Sequence, residues 1–183
     1  MAFRILVALC AFVLFGQMCS VQTNCVLRRK HVRHSLDLLG TVAGLFPREC
    51  LGQRLNMKFP TSSLQANNTH QNVSVAKAVY KIMEHIDSLF ANDSYPKSWD
   101  QKKVDHFQHL IYRITKDYRC IMRRTQRPSA EDFPARYMAL KIYFENLATL
   151  LRDEDNSFCS WEVVREELLH VLRIINKLKP FKR

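Results

Sequence analysis

Five stretches of this chain repeat apolar residues at alternating spacings of three and four, and few folds accept that pattern. An α-helix turns every 3.6 residues, so such spacing collects the apolar side chains on one stripe that must be buried. The first stretch runs through Val32, Leu36, Leu39, Ala43 and Phe46, and the second through Val75, Val79, Ile82, Ile86 and Leu89. The third follows Val104, Phe107, Ile111, Ile114, Tyr118 and Ile121. The fourth uses Phe133, Tyr137, Leu140, Phe144, Leu147 and Leu151, and the fifth Trp161, Val164, Leu168, Val171, Ile175 and Leu178. No comparable run alternates with period two, and only four glycines are available for tight hairpins. The expectation is an all-α bundle of five helices.

The links sort the possible bundles. Short connections near 125–130 and 153–157 make helices three and four, and four and five, antiparallel neighbours. The first link is expected to span about 47–72; it carries Pro47, Pro60 and the tract TSSLQANNTHQN. A connection that long is usually functional or a crossover, and crossovers place consecutive helices parallel. There is no internal repeat and no sign of a second domain.

The chain opens with Arg4, an apolar run from Ile5 to Phe15, and then small and polar residues. That run is too short to span a bilayer and has the proportions of a secretory signal peptide. Val21 and Thr23 suit the positions before cleavage, so residues 1–23 are expected to be the leader and 24–183 the mature domain. An uncleaved anchor is the rival. Cleavage removes Cys10, Cys19 and Arg4, leaving four cysteines and lowering the formal charge from +11 to +10. Cys25, Cys50, Cys120 and Cys159 lie far apart, which argues against zinc and for disulfides, and four cysteines allow three pairings. N-x-S/T sequons stand at Asn67, Asn72 and Asn92, the first two in a polar stretch that reads as loop.

Enzyme chemistry finds no support. There is no glycine-rich phosphate loop, no G-x-S-x-G elbow and no H-E-x-x-H. His31 and His34 share a helix face without a carboxylate or thiol beside them in sequence, which reads as a solvated face rather than a metal site. No cofactor, metal or catalytic group is expected. The charge favours anionic partners, weak glycosaminoglycan binding among them, but the basic clusters are scattered over several elements and no aromatic platform for nucleic acid accompanies them.

The fifth helix offers the one candidate surface. On a helical wheel its apolar stripe centres between Val164 and Leu168, which puts Leu169 about 130° away and Arg173 nearly opposite. Arg165, Leu169 and Arg173 are spaced by four and would line one outward stripe. An exposed leucine between two arginines suits a binding hot spot and equally an ordinary solvated face.

The segment from Tyr143 to Arg165 resembles the stretch that identifies type I interferons. An aromatic pair, Tyr143-Phe144, precedes Asn146 and Leu150-Leu151; after seven intervening residues come Cys159, Ser160 and Trp161, then Glu-Val-Val-Arg at 162–165. Ser160 stands where alanine or threonine is usual. Cys50, Leu51, Arg54 and Phe59-Pro60 resemble the family's Cys-Leu-x-x-Arg and Phe-Pro loop elements. The resemblance implies a five-helix cytokine bundle, up-up-down-down with a long first crossover, and the disulfides Cys25–Cys120 and Cys50–Cys159. Loops of that length are each worth roughly 4–5 kcal/mol in the chain-entropy account.

It further implies a secreted cytokine that brings together two class II cytokine receptor chains and starts JAK-STAT antiviral signalling. One receptor chain is expected on Leu51, Arg54, Arg165, Leu169 and Arg173, which a Cys50–Cys159 bridge would join into one patch. The other is expected on helices two, three and four, where Lys141 alone carries over. Glu166 and His170 depart from the small and basic residues expected there. The basic sequence looks more like a fish four-cysteine interferon than a mammalian one. A lambda-interferon or interleukin-10 relative would lack the Tyr143–Trp161 pattern, and a membrane-acting host-defence protein would keep its activity without disulfides. On this reading Arg165→Ala and Leu169→Ala weaken receptor binding and leave the melting temperature nearly unchanged.

Overall fold

The computed structural model describes residues 29–53, 58–66, 71–124 and 133–178, with backbone alone at 71–72 and 120–124. The expected leader, Cys25, Arg54 and Asn67 lie outside the described residues, as do the side chains of Asn72 and Cys120. Five helices follow in order: α1 (Arg29–Thr41), α2 (Gln71–Phe90), α3 (Gln101–Arg124), α4 (Phe133–Asp153) and α5 (Phe158–Lys177). Two short 3-10 turns, Arg48–Gln53 and Thr61–Leu64, lie in the first link, and the described residues include no strand.

Side-chain contacts fix the helix directions. The end of α1 meets the start of α3, where Asp100 N donates to Val42 O at 3.0 Å and Lys103 Nζ to Thr41 O at 2.9 Å. Near the other end His31 Nδ1 lies 3.9 Å from Asp117 Oδ2, so α1 and α3 are antiparallel. Gln108 reaches the carbonyl of Phe90 and Arg119 reaches Tyr80, which makes α2 and α3 antiparallel and α1 and α2 parallel. Arg29 at the start of α1 donates to the carbonyl of Leu178 just past α5, and Gly40 near the end of α1 faces Leu169, so these two run opposite ways. Hence α1, α2, α3 and α5 form an up-up-down-down bundle. Helix α4 runs parallel beside α2, with Phe133 near Lys77, Tyr137 near Lys81 and Phe144 stacked on His85.

The expected stripes supply the core. Val32, Leu39, Val79, Ile82, Ile86, Phe107, Ile111, Ile114, Leu140, Phe144, Leu147, Val164, Leu168 and Val171 are all buried. Trp161 is fully buried near Phe90 at 5.2 Å, Trp99 at 5.8 Å and Tyr95 at 6.4 Å between ring centroids. These rings close the bundle end at which α1 and α2 finish and α3 and α5 begin, each contributing a large apolar area.

Two expectations about boundaries change. The first helix stops at Thr41, and Ala43 and Phe46 belong to the link. Gly44 takes a left-handed φ of 79°, and Asp100 uses the Val42 carbonyl that a continuing helix would need. The first link therefore occupies 42–70, and Asn72 sits in the first turn of α2 rather than in a loop.

The crossover is pinned twice. Cys50 bonds Cys159 at the start of α5, with Cα atoms 5.0 Å apart, as the resemblance implied. Further on, Arg136 of α4 donates to the carbonyls of Ser62, Ser63 and Gln65 at 3.1, 3.0 and 2.7 Å, and Phe59 sets its ring edge-on to Tyr143. The tight α4–α5 turn is closed by Asn156 N donating to Leu151 O at 2.7 Å, with Asp155 and Asn156 both left-handed.

Candidate functional site

The bridged end of the molecule brings three chain segments together on α5. Ser157 caps that helix, its side chain accepting from Ser160 N at 3.2 Å, so Cys159 and Trp161 fall in the first turn. Cys159 holds Cys50, and the adjacent Leu51 is 48% exposed. Gln53 Nε2 donates to Glu154 Oε2 at 3.1 Å, adding a polar tie between the 3-10 turn and the α4–α5 turn.

Beneath this loop lies an ion pair without solvent. Glu162 is 0% exposed and Arg165 1%. Arg165 Nε and Nη2 both donate to Glu162 Oε2, at 3.1 and 2.7 Å. The other carboxylate oxygen, Oε1, accepts from Trp99 Nε1 at 2.8 Å, and Arg165 Nη2 also donates to Gly44 O at 3.2 Å. Isolated, either charge would cost several kcal/mol to bury, so each stands only because the other and its hydrogen bonds are in place.

This arrangement corrects the expected outward stripe. Arg165 and Leu169 face inward: Leu169 is 3% exposed and packs toward α1 at Gly40, where a Cβ would sit 3.9 Å from Leu169 Cδ2. The wheel assumed one buried face, whereas α1 and the 42–53 segment cover the flank of α5 that the stripe would expose. Every residue from Ser160 to Arg165 is consequently buried. Arg173 is exposed, as expected. It lies fourteen residues beyond Cys159, roughly 21 Å along the axis, so Leu51 and Arg173 are not joined into one patch by Arg165 and Leu169.

On the far side, Lys141 is half-exposed and pairs with Glu145 at 3.5 Å. Around it α4 exposes Met138 and Ile142, 54% and 52% exposed. Between α2 and α3 a cleft of about 300 Å³ is lined by Glu84, Asp87, Tyr112, Lys116 and Arg119 among others. Burial alone would raise the Glu84 carboxyl; hydrogen bonds from Lys81 and Tyr80 outweigh it and hold its pKa below the ordinary value. His85, stacked on Phe144 at 4.9 Å, is held below the usual histidine range by burial and then by Lys81. Burial raises the Tyr143 hydroxyl, which donates to Glu167 Oε2 at 2.6 Å.

Asn92 is exposed in the turn after α2, where a glycan has room. Among the described residues no group of three or more His, Cys, Asp or Glu is placed to hold a metal, and no helix is long and apolar enough to cross a membrane. The buried Glu162–Arg165 pair is the feature that periodicity missed. Its only sequence signal is a glutamate three residues before an arginine directly after Trp161.

The matching family model is the interferon alpha/beta domain, over residues 26–180. Interferon beta of Tachyglossus aculeatus aculeatus is 26% identical over 152 residues, covering 79% of this chain and 80% of that protein. Human interferon alpha-14 is 24% identical over 177 residues, with 92% of each chain covered. Among solved structures, zebrafish interferon 2 is 57% identical and superposes with a TM-score of 0.79, covering 84% of this chain and all of that one. Zebrafish interferon 1, 22% identical, shares the fold at a TM-score of 0.66, with 81% of this chain and 91% of that one covered.

Proposed function

The chain belongs to the interferon alpha/beta family, a family of cytokines rather than enzymes and here of the fish type, and we propose that it acts as a secreted bivalent ligand. It brings two class II cytokine receptor chains together on the cell surface and starts JAK-STAT antiviral signalling. No covalent step is required of it. Once one chain is bound, the second encounter takes place in a confined volume, and affinity gains without new contacts.

The observation that carries this reading is the Cys50–Cys159 bridge, which fastens an exposed loop to the start of α5. Two surfaces are thereby held at fixed separation on one rigid body. One receptor chain takes Leu51 with Arg54 on the loop and Arg173 on the outer side of α5. The buried Arg165 and Leu169 contribute by supporting that surface. The other chain takes the α2–α3–α4 side around Lys141. Occupied sequons, Asn92 first and then Asn67 and Asn72, fit the secretory route. Weak glycosaminoglycan binding through the dispersed basic residues remains secondary.

The test uses purified mature protein on host cells. Leu51→Ala and Arg173→Ala each weaken binding to one receptor chain about tenfold, the loss of a contact worth roughly 1–2 kcal/mol, with the melting temperature unchanged. Lys141→Ala weakens binding to the other chain only. Wild-type antiviral gene induction by a Leu51→Ala/Arg173→Ala/Lys141→Ala triple variant overturns the assignment of both surfaces.

A further inference from the structure

Two charges at the centre of a protein end built from Trp161, Phe90, Trp99 and Tyr95 call for a reason. Apolar residues of similar volume often fill such a place at equal or greater stability. The pair does what they would not do: its hydrogen bonds reach two other chain segments. Arg165 satisfies the carbonyl of Gly44, at the point where the first link turns back through a left-handed residue. Glu162 holds the indole of Trp99, in the connection between α2 and α3. Directly after Gly44 stands Leu45, 94% exposed, and beyond the Cys50 anchor stands the half-exposed Leu51.

We infer that Glu162 and Arg165 are positioning residues, a buried clamp that sets the 44–53 loop against α5 and so presents its apolar side chains to a partner. The inference rests on the proposed receptor reading for the nature of that partner, and it changes the role of Arg165 from contact to support. Without the clamp the loop keeps its disulfide at Cys50 but loses the anchor at Gly44, six residues earlier. Leu45 and Leu51 then sample several positions, and binding must order them at an entropic cost.

The decisive variant is Glu162→Gln with Arg165→Met in the full mature chain. Removing both charges leaves none buried alone, Gln still accepts from Trp99, and the Gly44 carbonyl is released together with the part-exposed Glu166, 3.8 Å from Arg165, which solvent can serve. Two readouts are taken: amide hydrogen exchange by segment, and dissociation of labelled protein from host cells. Exchange in residues 45–53 is expected to speed up at least tenfold, with α2 and α3 unchanged, and dissociation to speed up at least fivefold. Unchanged exchange in 45–53 overturns the clamp, whatever happens to binding. Faster exchange with unchanged dissociation keeps the clamp and overturns the placement of the receptor surface on this loop.

If the double variant does not fold, Arg165→Lys serves, because one ammonium cannot span both Glu162 and Gly44 in the guanidinium's forked geometry. It should shift both readouts in the same direction. Wild-type values in both overturn the proposal.

Discussion

Arg165 and His85 both place an ionisable side chain against the core, by opposite means. Arg165 is buried against Glu162, whose Oε2 accepts from two of its donors at 3.1 and 2.7 Å. That partnership makes the expected harmless substitution costly: Arg165→Ala would leave Glu162 buried and uncompensated. His85 is stacked on Phe144, with burial as the main cause of its lowered pKa. Its folded form therefore favours the neutral ring. The stability this contributes is present above the unfolded-state value near 6.5 and is lost as pH falls below it. Denaturant midpoints should accordingly drop between pH 7 and pH 5 more for the wild type than for His85→Gln. Parallel titrations of the two proteins would remove His85 from consideration. The raised carboxyl of Asp87, also caused by burial, acts in the opposite sense and is common to both proteins.

At the scale of elements, the α4–α5 turn shows how little sequence is needed to start a helix in register. Ser157 accepts from Ser160 N, and a cap of this kind is worth about 1 kcal/mol. Ser157→Ala should lower thermal stability by a few degrees, read by circular dichroism. It should also loosen the first turn, where Cys159 sits; an unchanged melting temperature would show that the Cys50–Cys159 bond and Trp161 packing hold that turn without the cap. The helices themselves were legible because each buries one stripe, and stripes such as Val104–Phe107–Ile111–Ile114 leave a periodic record. Helix α5 was legible as a helix but not as a surface. Periodicity reports which residues are apolar, not what lies over the polar ones, so a salt-bridged arginine under a loop looks the same as one in water. The end of α1 departs from its periodic stripe for a related reason. Ala43 and Phe46 continue the spacing, but Gly44 and the contact from Asp100 divert the chain.

For the whole molecule, the formal charge of +11 includes exposed residues on several elements, among them Arg33, Lys102, Arg113 and Arg173. Such a body is drawn toward acidic surfaces before any specific contact forms. Raising ionic strength from 0.01 to 0.15 M shrinks the Debye length from about 30 to about 8 Å. Association with receptor-bearing cells should slow several-fold over that range while dissociation changes little; dissociation that speeds up over the same range would assign the charge to the bound interface instead.

The Cys50–Cys159 bridge also has a consequence for biosynthesis. Its two halves are 109 residues apart, and the second lies in the first turn of α5. A ribosome must have made all of α1 to α4 before the bond becomes possible. Until then α1 lacks the helix that covers Leu39 and Gly40, and the loop around Cys50 has nothing to lie on. The proposed receptor surface on this loop and α5 can thus form only after the other four helices have been made, and a chain terminated before Cys159 would lack it altogether.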